Sequence, residues 1–312
     1  MTKIYRPLGI APGPAICYSG YREGQSPDSE VFPTVAQIRE DLFLMQPHWQ
    51  VLRLYDCSLH AERVLQVIED DGLPFKVLLG AYLAAEVSNP ACPWGGVHDE
   101  PTLAVNVQRN LAELQRLVAL AARHRAQVFA VAVGNEATVD WTDHLVPVDR
   151  MVRHVRWVRE RVTQPVTFCE NYVPWQHKLN ALVPELDFIG LHTYPQWEQK
   201  TADEAIAHTL DNLASVARAH PGKPIVVTEA GWTTASNGRG IPPGHASEAL
   251  QAQHVADLMA WARDSQQLVF LFEAFDEPWK GSADPLEPEK HWGLYTVGRE
   301  PKRLLQTHAA PG

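Results

Sequence analysis

The sequence predicts an α/β protein of the closed (β/α)8 barrel type, one domain spanning residues 1–312. Three observations carry this expectation. Short apolar or β-branched runs alternate with longer amphipathic stretches eight times along the chain. Strand segments such as VFAVAV and FIGL are apolar on both faces, as a parallel sheet covered by helices requires. No G-x-G-x-x-G follows the first strand and no G-x-x-x-x-G-K-[ST] occurs, so the open sheets that bind nucleotides lack their phosphate loop here.

The elements follow in order. AICYS (15–19) is the first strand, and helical spacing of apolar residues first appears at 35–45. VLRLY (51–55) and a helix at 61–70 come next, then FKVLL (75–79) and a long helix at 103–124. VFAVAV (128–133) and VTFC (166–169) are the fourth and fifth strands, with helices at 148–161 and 175–183. FIGLH (188–192), IVVT (225–228) and LVFLF (268–272) complete the set, followed by helices at 204–220, 246–265 and 299–306. Neither a linker nor a repeat beyond the β/α unit interrupts them.

Composition narrows the function classes. With 45% hydrophobic and 21% charged residues the chain is an ordinary globular one, and no stretch approaches the roughly 18 apolar residues of a membrane helix. Its 27 basic and 37 acidic residues leave a net charge of −10 without like-charge runs, which disfavours nucleic acid and anionic membrane as partners. The segment MTKIYRPLGIAPG lacks the apolar core of a signal peptide, so the expected location is cytoplasmic, or extracellular or periplasmic if an export sequence has been trimmed. Cys17, Cys57, Cys92 and Cys169 are far apart with no C-x-x-C, and read as small buried hydrophobes. Ten tryptophans suit a neutral sugar partner, because indole faces stack on sugar rings. Trp94, Trp175, Trp197, Trp232 and Trp279 fall on loops after strands, whereas Trp157 and Trp261 lie in helical patterns and belong to the core.

In such barrels the chemistry sits at the C-terminal strand ends. The residues there are Asp56, then Asn135 and Glu136, Glu170 and Asn171, His192 and Tyr194, Glu229, and finally Glu273, Asp276 and Glu277. Acids this dense repel one another unless neutralised, protonated or bound to metal. Asp56 and Asp276 could equally cap helices or pair with an arginine such as Arg53. Glu136 and Glu229 each end a wholly apolar strand before small residues, and strands four and seven face each other across a barrel mouth. Two carboxylates flanking a bond are the minimum apparatus for glycoside hydrolysis. The competing classes are a Mg²⁺ site built from Asp56, Glu170, Glu229 and Glu273, and a sugar-binding barrel without turnover.

VAVGNEA (131–137) and VVTEAGW (226–232) resemble the acid/base and nucleophile signatures of clan A retaining glycosidases. VLRLYDC (51–57), KVLLG (76–80), FEAFDEPWK (272–280) and EKHWGLY (289–295) narrow the resemblance to glycoside hydrolase family 17, the β-1,3-glucanase family. It runs from about residue 16 to 302. The resemblance implies Glu136 as acid/base and Glu229 as nucleophile, with carboxyl groups about 5–5.5 Å apart. It implies Glu277, Lys280 and Glu289 as support around the acid. Asn135 is placed to bond the sugar 2-hydroxyl and Tyr194 to orient Glu229. Substrate contacts are expected from Tyr18, Asp56, Glu170, Asn171, Trp175, His192, Trp197, Trp232 and Trp279. The expected partner is a β-1,3-glucan, the expected state a monomer, and neither cofactor nor metal is called for. Strand seven departs from plant members in reading E-A-G-W-T, and the loops NPACPWGG (89–96), CENYVPW (169–175) and HTYPQW (192–197) resemble the bacterial branch. These loops bear on whether a retaining endo-hydrolase, the expected activity, or a transglucosylase with the same pair is present.

Overall fold

In the computed structural model, which describes residues 8–10 and 13–308, eight parallel strands close into a barrel in the order β1 to β8. The strands are β1 Gly13–Cys17, β2 Val51–Leu54, β3 Lys76–Ala81, β4 Val128–Asn135, β5 Val166–Asn171, β6 Ile189–His192, β7 Ile225–Gly231 and β8 Leu268–Phe272. The helices are α1 Val35–Met45, α2 Leu59–Asp70, α3 Glu100–Arg123, α4 Val148–Arg159, α5 Tyr172–Gln176, α6 Ala202–Ala219, α7 Glu248–Asp264 and α8 Arg303–His308. Closure is made by β8 pairing with β1 in parallel, Gly13 to Leu268 through Ile16 to Leu271.

Strand residues divide between two cores with a period of two, as pleated strands must. Leu52, Leu54, Val77, Leu79, Val131 and Val133 pack outward against the helices. Ala15, Cys17, Leu78, Ala130, Ala132 and Cys169 fill the barrel interior. The same alternation turns Arg53, between two outward leucines, into the interior, where it is 1% exposed. All four cysteines are free and buried, as composition suggested. Trp157 and Trp261 are partly buried and pack on the outer core.

Two helices differ from the sequence reading. The expected 175–183 helix is the five-residue α5 followed by turns and a short 3-10 segment, Val183–Glu185. Trp175, Leu179, Leu182 and Val183 are all buried at helical spacing, so the periodicity records burial of a compact loop. The terminal helix begins at Arg303 because Pro301 precedes it and Arg299 adopts φ 70°.

Arg299 does other work. Its Nε and Nη2 each donate to the carboxylate of Asp41 on α1 at 2.8 Å, and Nη2 also donates to the Gly20 carbonyl at 2.7 Å. Arg22 donates to the same carboxylate at 2.9 Å. Asp41 is fully buried, so removing one cation strands part of its charge. Arg299→Met is expected to lower unfolding free energy by about 3 kcal/mol, measured by urea denaturation, with m unchanged. No described helix is long and apolar enough to cross a membrane. Most of the N-terminal segment inspected for an export signal, residues 1–7 and 11–12, lies outside the described residues.

Candidate active site

The acid at the end of β4 is placed by an irregularity in the strand. The β4–β5 register shifts between Ala132 and Asn135, and Gly134 takes φ 93° with so little room that a Cβ would meet the Phe168 ring at 3.0 Å. Glu136 follows at φ 45°, left-handed for a residue with a Cβ, and such a conformation persists only where the surroundings enforce it. They do so with several bonds. The Glu136 N–H donates to the Cys169 carbonyl at 2.9 Å and the Val146 N–H to the Ala137 carbonyl at 2.8 Å. Thr138 donates its N–H and hydroxyl to Glu170 Oε2 at 2.9 and 2.6 Å, while Asn171 N–H donates to Oε1 at 2.7 Å. Burial and the Glu136 charge still push the Glu170 carboxyl up to about 7.

Glu229 lies on β7, every residue of which is buried. Arg53 Nη1 donates to Glu229 Oε1 at 2.5 Å and to the Thr228 carbonyl at 3.1 Å, while Nη2 donates to Asn135 Oδ1. Tyr55 donates to Glu229 Oε1 at 3.0 Å and Tyr194 to Oε2. Burial alone would raise this carboxyl, but His192, Arg53 and the Tyr194 hydroxyl outweigh it and hold the pKa below the ordinary carboxylate value. The group is therefore ionised at neutral pH.

His192 stands between the two acids. Its Nδ1 is 2.8 Å from Glu136 Oε1 and 3.3 Å from Glu229 Oε2. Burial opposes a charge on the ring, yet Glu229, the Cys169 side chain and Glu136 prevail and push its pKa up to about 9. Both carboxylates call for a proton on Nδ1, whereas Nε2 lies 3.2 Å from Arg53 Nη1, so the second proton is the one Arg53 opposes. One oxygen each of Glu136 and Glu229 and one His192 nitrogen lie within 4.8 Å of one another. A cation held by this trio would have to replace the Nδ1 proton and share Glu229 with Arg53. The four acids weighed for Mg²⁺ do not pool their oxygens: Asp56 is bonded by Ser58, Glu170 by Thr138 and Asn171, Glu229 by Arg53, and Glu273 by Lys280.

Lys280 neutralises the acids after β8. Its Nζ is 2.8 Å from both Glu273 oxygens, 2.7 Å from Glu277 Oε2, and 4.5 Å from the Phe272 ring centroid. Burial raises Glu273 well above its usual value in spite of Lys280, whereas for Glu277 the ammonium outweighs burial and the pKa is lowered. Glu289 is pushed up to about 7 by burial, against Lys280 and with the Glu136 charge adding to the rise. An acid raised on folding holds an extra proton between its unfolded and folded pKa values, so stability falls as pH rises across that window. The thermal midpoint is expected to drop between about pH 5 and 7.5, and Glu289→Gln should make the drop shallower when followed by circular dichroism.

The remaining expected contacts divide. Trp197 and Trp279 are half-buried, Trp197 against Trp292 at 6.1 Å and Trp279 against Tyr21 at 6.0 Å. Trp175 and Trp232 are fully buried and donate Nε1 to the Gly190 and His245 carbonyls, so neither ring offers a stacking face. Tyr18 is likewise buried and donates to Asp41 at 3.0 Å, and Glu170 has no exposure, which removes both as substrate contacts. Asn171 caps α5 through the Val173 N–H, and Asp56 closes the turn to Ser58. Asp276 pairs with Lys302 at 2.7 Å, a structural role. Sequence reasoning missed Arg53 and Tyr55 as partners of Glu229. The available signal was a charged residue within an otherwise apolar strand, which has to find a partner inside the barrel.

The family described as the BtgE/BtgC glycoside hydrolase domain matches residues 15–293. A glucan 1,3-beta-glucosidase of Arthroderma benhamiae is 24% identical over 318 residues, covering 95% of this chain and 94% of that protein. One from Schizosaccharomyces pombe is 28% identical over 174 residues, 52% of this chain and 53% of its own length. Among solved structures, an endo-laminarinase from Formosa superposes with TM-score 0.81 at 24% identity, over 94% of this chain and 86% of the other. A β-1,3-glucanosyltransferase from Rhizomucor miehei, solved as an active-site mutant with laminaritriose, gives 0.71 at 22% identity, over 93% and 95%. Those two likenesses speak to the fold.

Proposed function

Because the chain belongs to the BtgE/BtgC glycoside hydrolase domain family and is on that ground a glycoside hydrolase, we propose that it cleaves β-1,3-glucan with retention of configuration. The observation that carries this reading is the pairing of a buried, ionised Glu229 with a half-buried Glu136 whose nearest oxygen is within 4.8 Å. Oxygens that close support a pair of acids acting on one bond, and we read the pair as the retaining kind. In the first step Glu229 forms a bond to the anomeric carbon while the bond to the leaving oxygen breaks and Glu136 gives that oxygen its proton. In the second step Glu136 takes a proton from water, whose oxygen displaces Glu229 from the anomeric carbon. Arg53, Tyr55 and Tyr194 hold the nucleophile still through both.

The substrate is supported by the names of the curated relatives and by the motifs along the chain. Those relatives are named glucosidases, while the solved structures of like fold are an endo-laminarinase and a glucanosyltransferase, and we assign endo-acting hydrolysis. A time course on unbranched laminari-oligosaccharides tests it. Mid-chain fragments should appear first; glucose alone would mean exo action, and products longer than the substrate would mean transfer to sugar. We take the working unit to be a monomer, checked by sedimentation. Dialysis against EDTA should leave turnover unchanged, and loss restored by Mg²⁺ would return the acids to a metal role.

A further inference from the structure

The mechanism above leaves one well-built group at the mouth unused. His144, on the loop between β4 and α4, places Nε2 2.9 Å from the Asn135 carbonyl oxygen. Its Nδ1 is 2.7 Å from Asp143 Oδ1, 3.0 Å from Thr142 Oγ1 and 3.1 Å from the Tyr82 hydroxyl. The Tyr82 ring packs on the imidazole at 4.8 Å, inclined by 37°, and is itself 44% exposed at the rim. The loop beneath is stitched down: Asn89 donates to the Asp140 and Thr142 carbonyls at 2.8 Å, and His98 Nε2 is 2.8 Å from the Asp143 carbonyl.

The Asn135 carbonyl and the Glu136 N–H belong to one peptide plane. His144 holds the oxygen end of that plane, and the Cys169 carbonyl holds the N–H end at 2.9 Å. With the plane pinned at both ends it cannot turn about the axis joining the two Cα atoms, and φ of Glu136 is held at 45°. Freed at the oxygen end, the plane can turn and relieve the left-handed conformation, carrying the Glu136 carboxyl with it.

We propose that His144 is a positioning residue for the acid/base, acting through the Asn135 carbonyl to fix the direction of the Glu136 carboxyl. This rests on the reading of Glu136 as the proton donor. A misplacement of about 1 Å costs up to about 10²-fold in rate, and only in steps that use the misplaced group. The loss should therefore depend on how much help the leaving group needs.

The test compares kcat/KM on laminaritriose, whose leaving sugar requires protonation, with kcat/KM on 2,4-dinitrophenyl β-laminaribioside, whose leaving group does not. His144→Ala is expected to lose about 30- to 100-fold on the first and under about threefold on the second. His144→Gln, whose amide reaches the same carbonyl, should recover most of the loss, and His144→Asn, one methylene shorter, should not. Should the alanine variant fail to fold, the glutamine and asparagine pair gives the same comparison. Equal losses on both substrates, no loss on either, or no rescue by glutamine overturns the proposal. Glu136→Gln is run in parallel: if it loses equally on both substrates, the reading of Glu136 has failed, which is distinct from a His144 effect that is absent while Glu136→Gln shows the split.

Discussion

Glu229→Ala is expected to lose turnover by roughly 10⁴-fold or more on every substrate, including aryl glycosides with good leaving groups. The size follows from what is lost. On the proposed mechanism the ionised carboxylate bonds to the anomeric carbon, and Arg53, Tyr55 and Tyr194 hold it in place to do so. The cavity left behind is bordered by Arg53, Tyr55 and Tyr194, a cation and two hydroxyls well suited to a small anion. Azide should restore part of the rate on an activated β-glycoside and give the α-glycosyl azide, since it attacks from the face Glu229 occupied. A β-azide from this variant would exchange the roles of the two glutamates. Because the substitution strands the buried guanidinium of Arg53, the thermal midpoint of the variant should be measured beside its activity.

Glu136→Gln should divide substrates by leaving group. On glucan the loss is expected at about 10²- to 10⁴-fold, the usual contribution of a positioned proton donor. The amide keeps the shape of the side chain but gives no proton to the leaving oxygen. On dinitrophenyl glycosides the first step should survive, and a burst of dinitrophenolate followed by slow turnover is the expected trace, because the second step still needs a base for water. Loss of the same size on both substrates would remove Glu136 from the acid/base role.

How much of this was legible can be judged residue by residue. The eight strands were, because a parallel barrel buries both faces and leaves nearly continuous apolar runs such as Leu268–Phe272. The placing of Glu136 and Glu229 near each other was, because each ends an apolar strand and strands four and seven face each other across the mouth. α5 was not, since Trp175, Leu179 and Leu182 bury themselves at helical spacing in a segment whose backbone bonds are those of turns. The stacking roles given to Trp175 and Trp232 failed for a related reason: a loop position in sequence says nothing about which way a ring faces. His144 and Tyr82 escaped because their link to Glu136 runs through a main-chain carbonyl, which carries no mark in the sequence.

One guanidinium on β2 touches groups from three other strands: Asn135 on β4, His192 on β6, and Thr228 and Glu229 on β7. A chain cut between α4 and β5 would leave Arg53 and Glu136 on one fragment and His192 and Glu229 on the other. Neither fragment could assemble Glu229 with its cation, however well its own strands paired. Turnover from the mixed fragments would then register only the docked pair, so the enzyme is suited to a two-fragment complementation assay in which fusion partners bring the halves together and sugar release reports their meeting.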